Sequence, residues 1–139
     1  MSNKHICIVD DDVDDIFLMS ASLRRLEAAA ALTLTISTFT DAVDALNFFA
    51  DSAGAPGSLP DCVCMDINMP GLDGIELLRR LREMDHLTSL PIYIVSTTID
   101  SKTHHKAISL GATGSFVKPE SMAAMQRMQE QFLGIRKIE

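Results

Sequence analysis

No apolar run in this chain approaches the ~20 residues that a membrane-spanning helix needs. The N-terminus, Met1 to Lys4, is short and polar, so no signal peptide is expected either. Positive charge is scarce. Twelve Lys and Arg stand against 19 Asp and Glu, a net charge of −7, and the basic residues are scattered apart from pairs such as Arg24-Arg25 and Arg79-Arg80. Neutralising a phosphate backbone needs clustered cations, so nucleic acid is a poor primary ligand, and such pairs belong on solvated helix faces. Cysteine is limited to Cys7, Cys62 and Cys64, each inside a short apolar run. The Cys62-x-Cys64 spacing has no second ligand pair behind it, which argues against a zinc knuckle and for buried strand thiols. Internal repeats and low-complexity tracts are also missing. Residues 51–60 are the only loop-rich stretch, a short connection and not a domain linker. A cytoplasmic protein without membrane contact is expected.

What remains is a chain of 139 residues, 47% hydrophobic and 22% charged, which suits one folded domain over residues 1–139 with no effector domain attached. Strand-like and helix-like segments alternate. Residues 5–10 read as a buried strand, and from Asp14 the period becomes helical through Ile16, Met19, Leu23 and Leu26. Residues 32–39 alternate as a strand near a sheet edge would. Asp41 can cap a second helix bearing Ala42, Ala45, Leu46 and Phe49 on one face.

Cys62 to Met65 is a third strand. Asp73 and Glu76 have capping-box spacing for a third helix carrying Leu77, Leu78, Leu81 and Met84. Pro91 opens a fourth strand, Ile92 to Val95, and a fourth helix over about 101–110 stops at Gly111. Ser115 to Val117 is a fifth strand. A last helix from about Ser121 turns Met122, Met125, Met128 and Phe132 inward as a core stripe, not a partner groove. Five strands each followed by a helix imply an α/β fold, a doubly wound parallel sheet with helices on both faces. Ligands of such sheets sit beyond the carboxyl ends of the strands.

The chemistry-bearing residues fall at those ends: Asp10, Asp11 and Asp12 after strand one, Asp66 after strand three, Ser96 and Thr97 after strand four, Lys118 after strand five. Singly, each has a bland role. An acid there can cap the next helix, as Asp12 or Asp14 can, a serine can satisfy backbone groups, and a lysine can simply be solvated. Their joint placement at four of five strand ends points to a shared site. Carboxylates held close together repel, and a divalent cation relieves that penalty. Mg²⁺ favours one or two carboxylates, waters and a phosphate oxygen. A carboxylate beside Mg²⁺ and an ammonium can attack a phosphoryl group, and the two cations stabilise the charge in transfer.

Ile8-Val9-Asp10-Asp11-Asp12 resembles the acidic opening of receiver domains of bacterial two-component response regulators. Met65-Asp66-Ile67-Asn68-Met69-Pro70-Gly71-Leu72-Asp73-Gly74 resembles their phosphoacceptor segment, Pro91 to Thr97 their switch-hydroxyl strand, and Gly111 through Lys118-Pro119 their lysine segment. The resemblance covers nearly the whole chain in the right order. It implies a flavodoxin-like sheet of strand order 2-1-3-4-5, with Asp66 as phosphoacceptor. Asp11, Asp66 and the main-chain carbonyl of Asn68 would bind Mg²⁺ directly, and Asp10 through water. Ser96, with Thr97 beside it, would be the switch hydroxyl and Lys118 the phosphate-binding lysine. It implies a sensor histidine kinase or histidine phosphotransfer protein upstream, a downstream protein target, a monomer or homodimer, and no catalysis beyond the chain's own phosphorylation and dephosphorylation.

Three positions depart from the family. Thr97 stands where Ala is common, Ser115 where an aromatic residue is common, and Glu120 where an aromatic often follows Lys-Pro. Ser115 lacks the bulk of a ring, and Phe116 should face the other way. Switching is therefore expected to travel through the backbone of residues 97–102, with Ser115→Ala nearly silent. Among the rivals, a small aspartyl-phosphate phosphatase would want an acid at position 68, where Asn68 stands. A flavodoxin-like FMN binder would want a phosphate cradle where three acids stand. A docking module that is never phosphorylated would normally lack an acid or the lysine, and this chain has both.

Overall fold

The computed structural model describes residues 2–135. Along the chain lie β1 (Ser2–Val9), α1 (Val13–Ala30), β2 (Leu32–Phe39), α2 (Ala42–Asp51), β3 (Cys62–Met65), α3 (Gly74–Arg82), β4 (Ile92–Ser96), α4 (Ser101–Ser109), β5 (Gly114–Val117) and α5 (Met122–Leu133). The strands form one parallel sheet in the order β2-β1-β3-β4-β5. The expected α/β architecture and strand order are both present.

Side-chain alternation divides the core in two. Cys7, Val9, Val63, Met65, Ile92 and Ile94 face α2, α3 and α4. Ile6, Ile8, Cys62, Cys64 and Val95 face α1 and α5. A strand covered on both faces has no polar side, which is why β3 reads Cys-Val-Cys-Met and is buried throughout. The three cysteines are buried thiols, and desolvation pushes those of Cys7 and Cys62 up to about 12, so they are inert as nucleophiles. On α3, Leu77, Leu78 and Leu81 are fully buried. Each such side chain contributes about 1.5–3 kcal/mol through burial.

The helices start where their caps predict. Asp12, Asp41, Asp73, Asp100 and Ser121 each accept a backbone N–H of the following first turn. The capping box at α3 forms by half. Asp73 accepts from Glu76 N at 2.9 Å, while the Glu76 carboxylate turns along the helix to Arg79 and Arg80. β1 begins earlier than its apolar pattern indicates, because Ser2, Asn3 and Lys4 pair with Leu32, Thr33 and Leu34 of β2. The 51–60 connection contains two 3-10 turns, Ser52–Gly54 and Pro56–Ser58. On α5, Met128 and Phe132 are buried and Met125 packs against the same core, so these three are structural, whereas Met122 at the start of the helix is only half-buried and lies outside that core. Gln129 is buried as well and donates from Nε2 to the Met19 carbonyl at 3.0 Å, tying α5 to α1.

Candidate functional site

The site forms where the sheet's middle strands stop. Asp10 follows β1 and donates its N–H to the Phe39 carbonyl at 3.0 Å, one bond beyond the regular ladder. Asp66 follows β3 and donates its N–H to Val9 O at 2.9 Å. Adjacent parallel strands thus end in adjacent acids. The carboxyls of Asp10 and Asp66 are buried, and Asp11 beside them is exposed. One carboxylate oxygen from each of these three lies within 4.8 Å of the others. This all-oxygen donor set fits a hard divalent cation such as Mg²⁺ or Mn²⁺.

Each buried carboxylate is held by the backbone. Asp10 Oδ1 accepts from Asp12 N at 2.9 Å, and Asp66 Oδ1 accepts from Ile67 N at 2.8 Å. Burial pushes the Asp10 carboxyl above the usual carboxylate range. Its hydrogen bonds from Asp12 and Lys118 pull the other way without offsetting this, and the Asp66 charge adds to the rise. The loop after Asp66 turns tightly, with Met69 N and Gly74 N both donating to Ile67 O. Gly74 is obligatory for steric reasons, since a Cβ there would lie 2.0 Å from the Asp66 carbonyl oxygen. Asn68 lies exposed in that loop.

Lys118 reaches in from the end of β5. Its Nζ stands 2.9 Å from Asp10 Oδ2, 2.6 Å from Asp15 Oδ2 and 3.5 Å from Asp66 Oδ2. Burial works against the ammonium, but the hydrogen bonds it donates to Asp15 and Asp10 outweigh it and hold Lys118 above its ordinary pKa. Its backbone N–H donates to Ser96 O at 2.8 Å, which fixes the lysine beside the end of β4.

The structure therefore brings Asp10, Asp11, Asp66 and Lys118 together. Ser96 is fully buried at the next strand end, with its Oγ accepting from Thr98 N at 3.3 Å, and Thr97 is exposed. Asp12 serves as the α1 cap. Sequence reasoning missed Asp15. It is the third residue of α1, and its signal in the sequence was an acid in the first turn of that helix. It also missed His104, which bonds Ser115.

The chain matches the family model described as "Response regulator receiver domain" over residues 6–130. It is 36% identical over 115 residues to the transcriptional regulatory protein FixJ of Bradyrhizobium diazoefficiens, covering 83% of this chain and 49% of that protein. In general it spans about half the length of the curated relatives it matches. The Mn²⁺-bound form of response regulator Rcp1 superposes with a TM-score of 0.80 at 18% identity, over 98% of this chain and 99% of that one. The receiver domain of sensor histidine kinase PA1611 from Pseudomonas aeruginosa, with a magnesium ion in its active site cleft, gives 0.74 at 20% identity, over 95% and 98%.

Proposed function

This chain belongs to the response regulator receiver domain family, and on that premise we propose that it accepts a phosphoryl group on Asp66 in a Mg²⁺-dependent reaction and signals through a protein partner. The observation that carries this reading is the meeting of Asp10, Asp11 and Asp66 within 4.8 Å, with Lys118 between Asp10 and Asp66. Asp11, Asp66 and the main-chain carbonyl of Asn68 would hold Mg²⁺, with Asp10 acting through water. Bound there, the ion neutralises the clustered carboxylates and the charge on the phosphoryl oxygens.

The donor is a phosphohistidine of a sensor kinase or a histidine phosphotransfer protein. An Asp66 carboxylate oxygen attacks phosphorus, the O–P bond forms, and the P–N bond breaks with its electron pair leaving on the imidazole nitrogen. Lys118 leaves Asp10 and Asp15 to pair with a phosphoryl oxygen, and the Ser96 hydroxyl turns from Thr98 N to donate to another. Catalysis is confined to the chain's own phosphorylation and dephosphorylation. The downstream protein docks near α4, where Ile99 and Ile108 are exposed. No described helix is long and apolar enough to cross a membrane.

A multiple-turnover phosphatase is disfavoured because Asn68 supplies no carboxyl proton for a leaving group. Intact-mass measurement after incubation with a small phosphodonor tests the proposal. One phosphoryl group is expected with Mg²⁺, none without it, and none for Asp66→Asn. Normal labelling of Asp66→Asn would move the acceptor elsewhere.

A further inference from the structure

The residue three positions before Lys118 is Ser115, too small to work as an inward-swinging ring. It pairs with Ile94 in the β4–β5 ladder and so shares the α4 face of the sheet, while Phe116 lies on the other face against Tyr93 and Phe132. Facing Ser115 is His104, on the fourth residue of α4, and its Nδ1 is hydrogen-bonded to Ser115 Oγ. The other ring nitrogen, Nε2, lies 2.9 Å from the Thr98 carbonyl oxygen. A carbonyl only accepts, so Nε2 carries the hydrogen. In the neutral ring Nδ1 is then the acceptor, and the Ser115 hydroxyl donates to it.

The same Thr98 peptide group is tied at its nitrogen to the proposed switch hydroxyl, since Thr98 N donates to Ser96 Oγ at 3.3 Å. The circuit closes through the strands, because Lys118 N donates to Ser96 O at 2.8 Å. Ser96, Thr98, His104 and Ser115 thus form one continuous chain of polar contacts from the end of β4 through α4 to β5. A rotation of the Ser96 side chain that carries Oγ toward another group also draws the acceptor away from Thr98 N.

We infer that His104 is the positioning residue that couples the Ser96 hydroxyl to β5, with Ser115 as its partner in place of a bulky switch side chain. The inference rests on the reading of Asp66 as phosphoacceptor. When Ser96 turns to a phosphoryl oxygen, the freed Thr98 peptide rotates, its carbonyl leaves His104 Nε2, and the ring changes its bond to Ser115. Ser115 is accordingly a working element, which reverses the expectation of a nearly silent Ser115→Ala.

The test is ¹⁵N NMR of the imidazole and backbone, without and with beryllofluoride plus Mg²⁺, on wild type, Ser115→Ala, Ser115→Thr and His104→Leu. In the unliganded wild type, His104 should show the Nε2–H tautomer with a hydrogen-bonded Nδ1. Ser115→Ala should shift the Nδ1 resonance, and Ser115→Thr, which keeps the hydroxyl, should restore it. On adding beryllofluoride the wild-type ring signals should move. The amide response at residues 114–117 should fall at least severalfold in Ser115→Ala and His104→Leu and recover in Ser115→Thr. An Nδ1 resonance indifferent to Ser115→Ala overturns the contact. A wild-type response that persists undiminished in both loss variants overturns the coupling and leaves the acceptor reading intact. No beryllofluoride response in wild type overturns the acceptor reading and the coupling with it.

Discussion

Lys118 is held more closely by Asp15 than by the proposed acceptor: Nζ lies 2.6 Å from Asp15 Oδ2 and 3.5 Å from Asp66 Oδ2. The two residues are 103 positions apart in sequence, and they meet because α1 begins beyond the end of β1 while the Lys118 side chain reaches back from the end of β5. Asp15 therefore competes with any phosphoryl group for the ammonium.

Asp15→Asn should weaken that competition and tighten beryllofluoride binding. Asp15 is partly exposed, so solvent screening holds the effect to about 1 kcal/mol, or roughly fivefold in affinity. Titration followed by NMR or by fluorescence of an attached probe would measure it. Unchanged or weaker binding would show that Asp15 supports Lys118 instead of restraining it.

Asp10→Asn should stabilise the metal-free protein and weaken its Mg²⁺ response. Burial raises the Asp10 carboxyl above its ordinary value, so the folded state holds this proton to higher pH than the unfolded chain does. Stability tied to Asp10 is then lost as pH rises from the ordinary aspartate range through the raised folded value, and stays lost at neutrality. The variant's advantage should be absent at the acid end and grow toward pH 7, reaching about 1 kcal/mol, a usual size when a functional group's penalty is relieved. Thermal melts across pH, with and without Mg²⁺, test this. A variant less stable than wild type at neutral pH and free of metal would refute it.

Gly74→Ala should damage fold and site together. The new methyl meets backbone, the Asp66 carbonyl oxygen at 2.0 Å and Ile67 Cα at 2.8 Å, so a side-chain adjustment cannot absorb it. Overpacking of this kind costs about 1–3 kcal/mol, and a rigid backbone neighbour places it at the upper end. Denaturant unfolding gives the cost. Wild-type stability and labelling would mean that α3 shifts freely relative to β3.

Ala31→Gly should stabilise the protein. Ala31 ends α1 with φ 55° and ψ 44°, its N–H bonded to the Glu27 carbonyl. The left-handed region costs an L side chain roughly 1–2 kcal/mol. Glycine removes that cost but gains freedom in the unfolded chain, for a net gain of about 0.5–1 kcal/mol. A lower midpoint in urea would show that the Ala31 methyl makes a contact worth more than the strain.

The sequence alone determined the elements, their order, both sheet faces and the strand-end acids. These are carried by local signals: apolar period, capping Asp41, Asp73 and Ser121, and the glycine that ends α4. A period of two or of 3.6 shows directly which side of an element is apolar. Tertiary structure decided which polar groups meet. Lys118 goes to Asp15 as well as to the strand-end acids, Glu76 turns to Arg79 and Arg80 instead of completing a capping box, Gln129 is buried against α1, and His104 joins Ser115 to Thr98. Such contacts depend on the rotation of each helix about its axis and on the register of neighbouring strands. A shift of one residue or a fraction of a turn redirects a side chain while leaving the apolar pattern intact, so composition and spacing do not encode them.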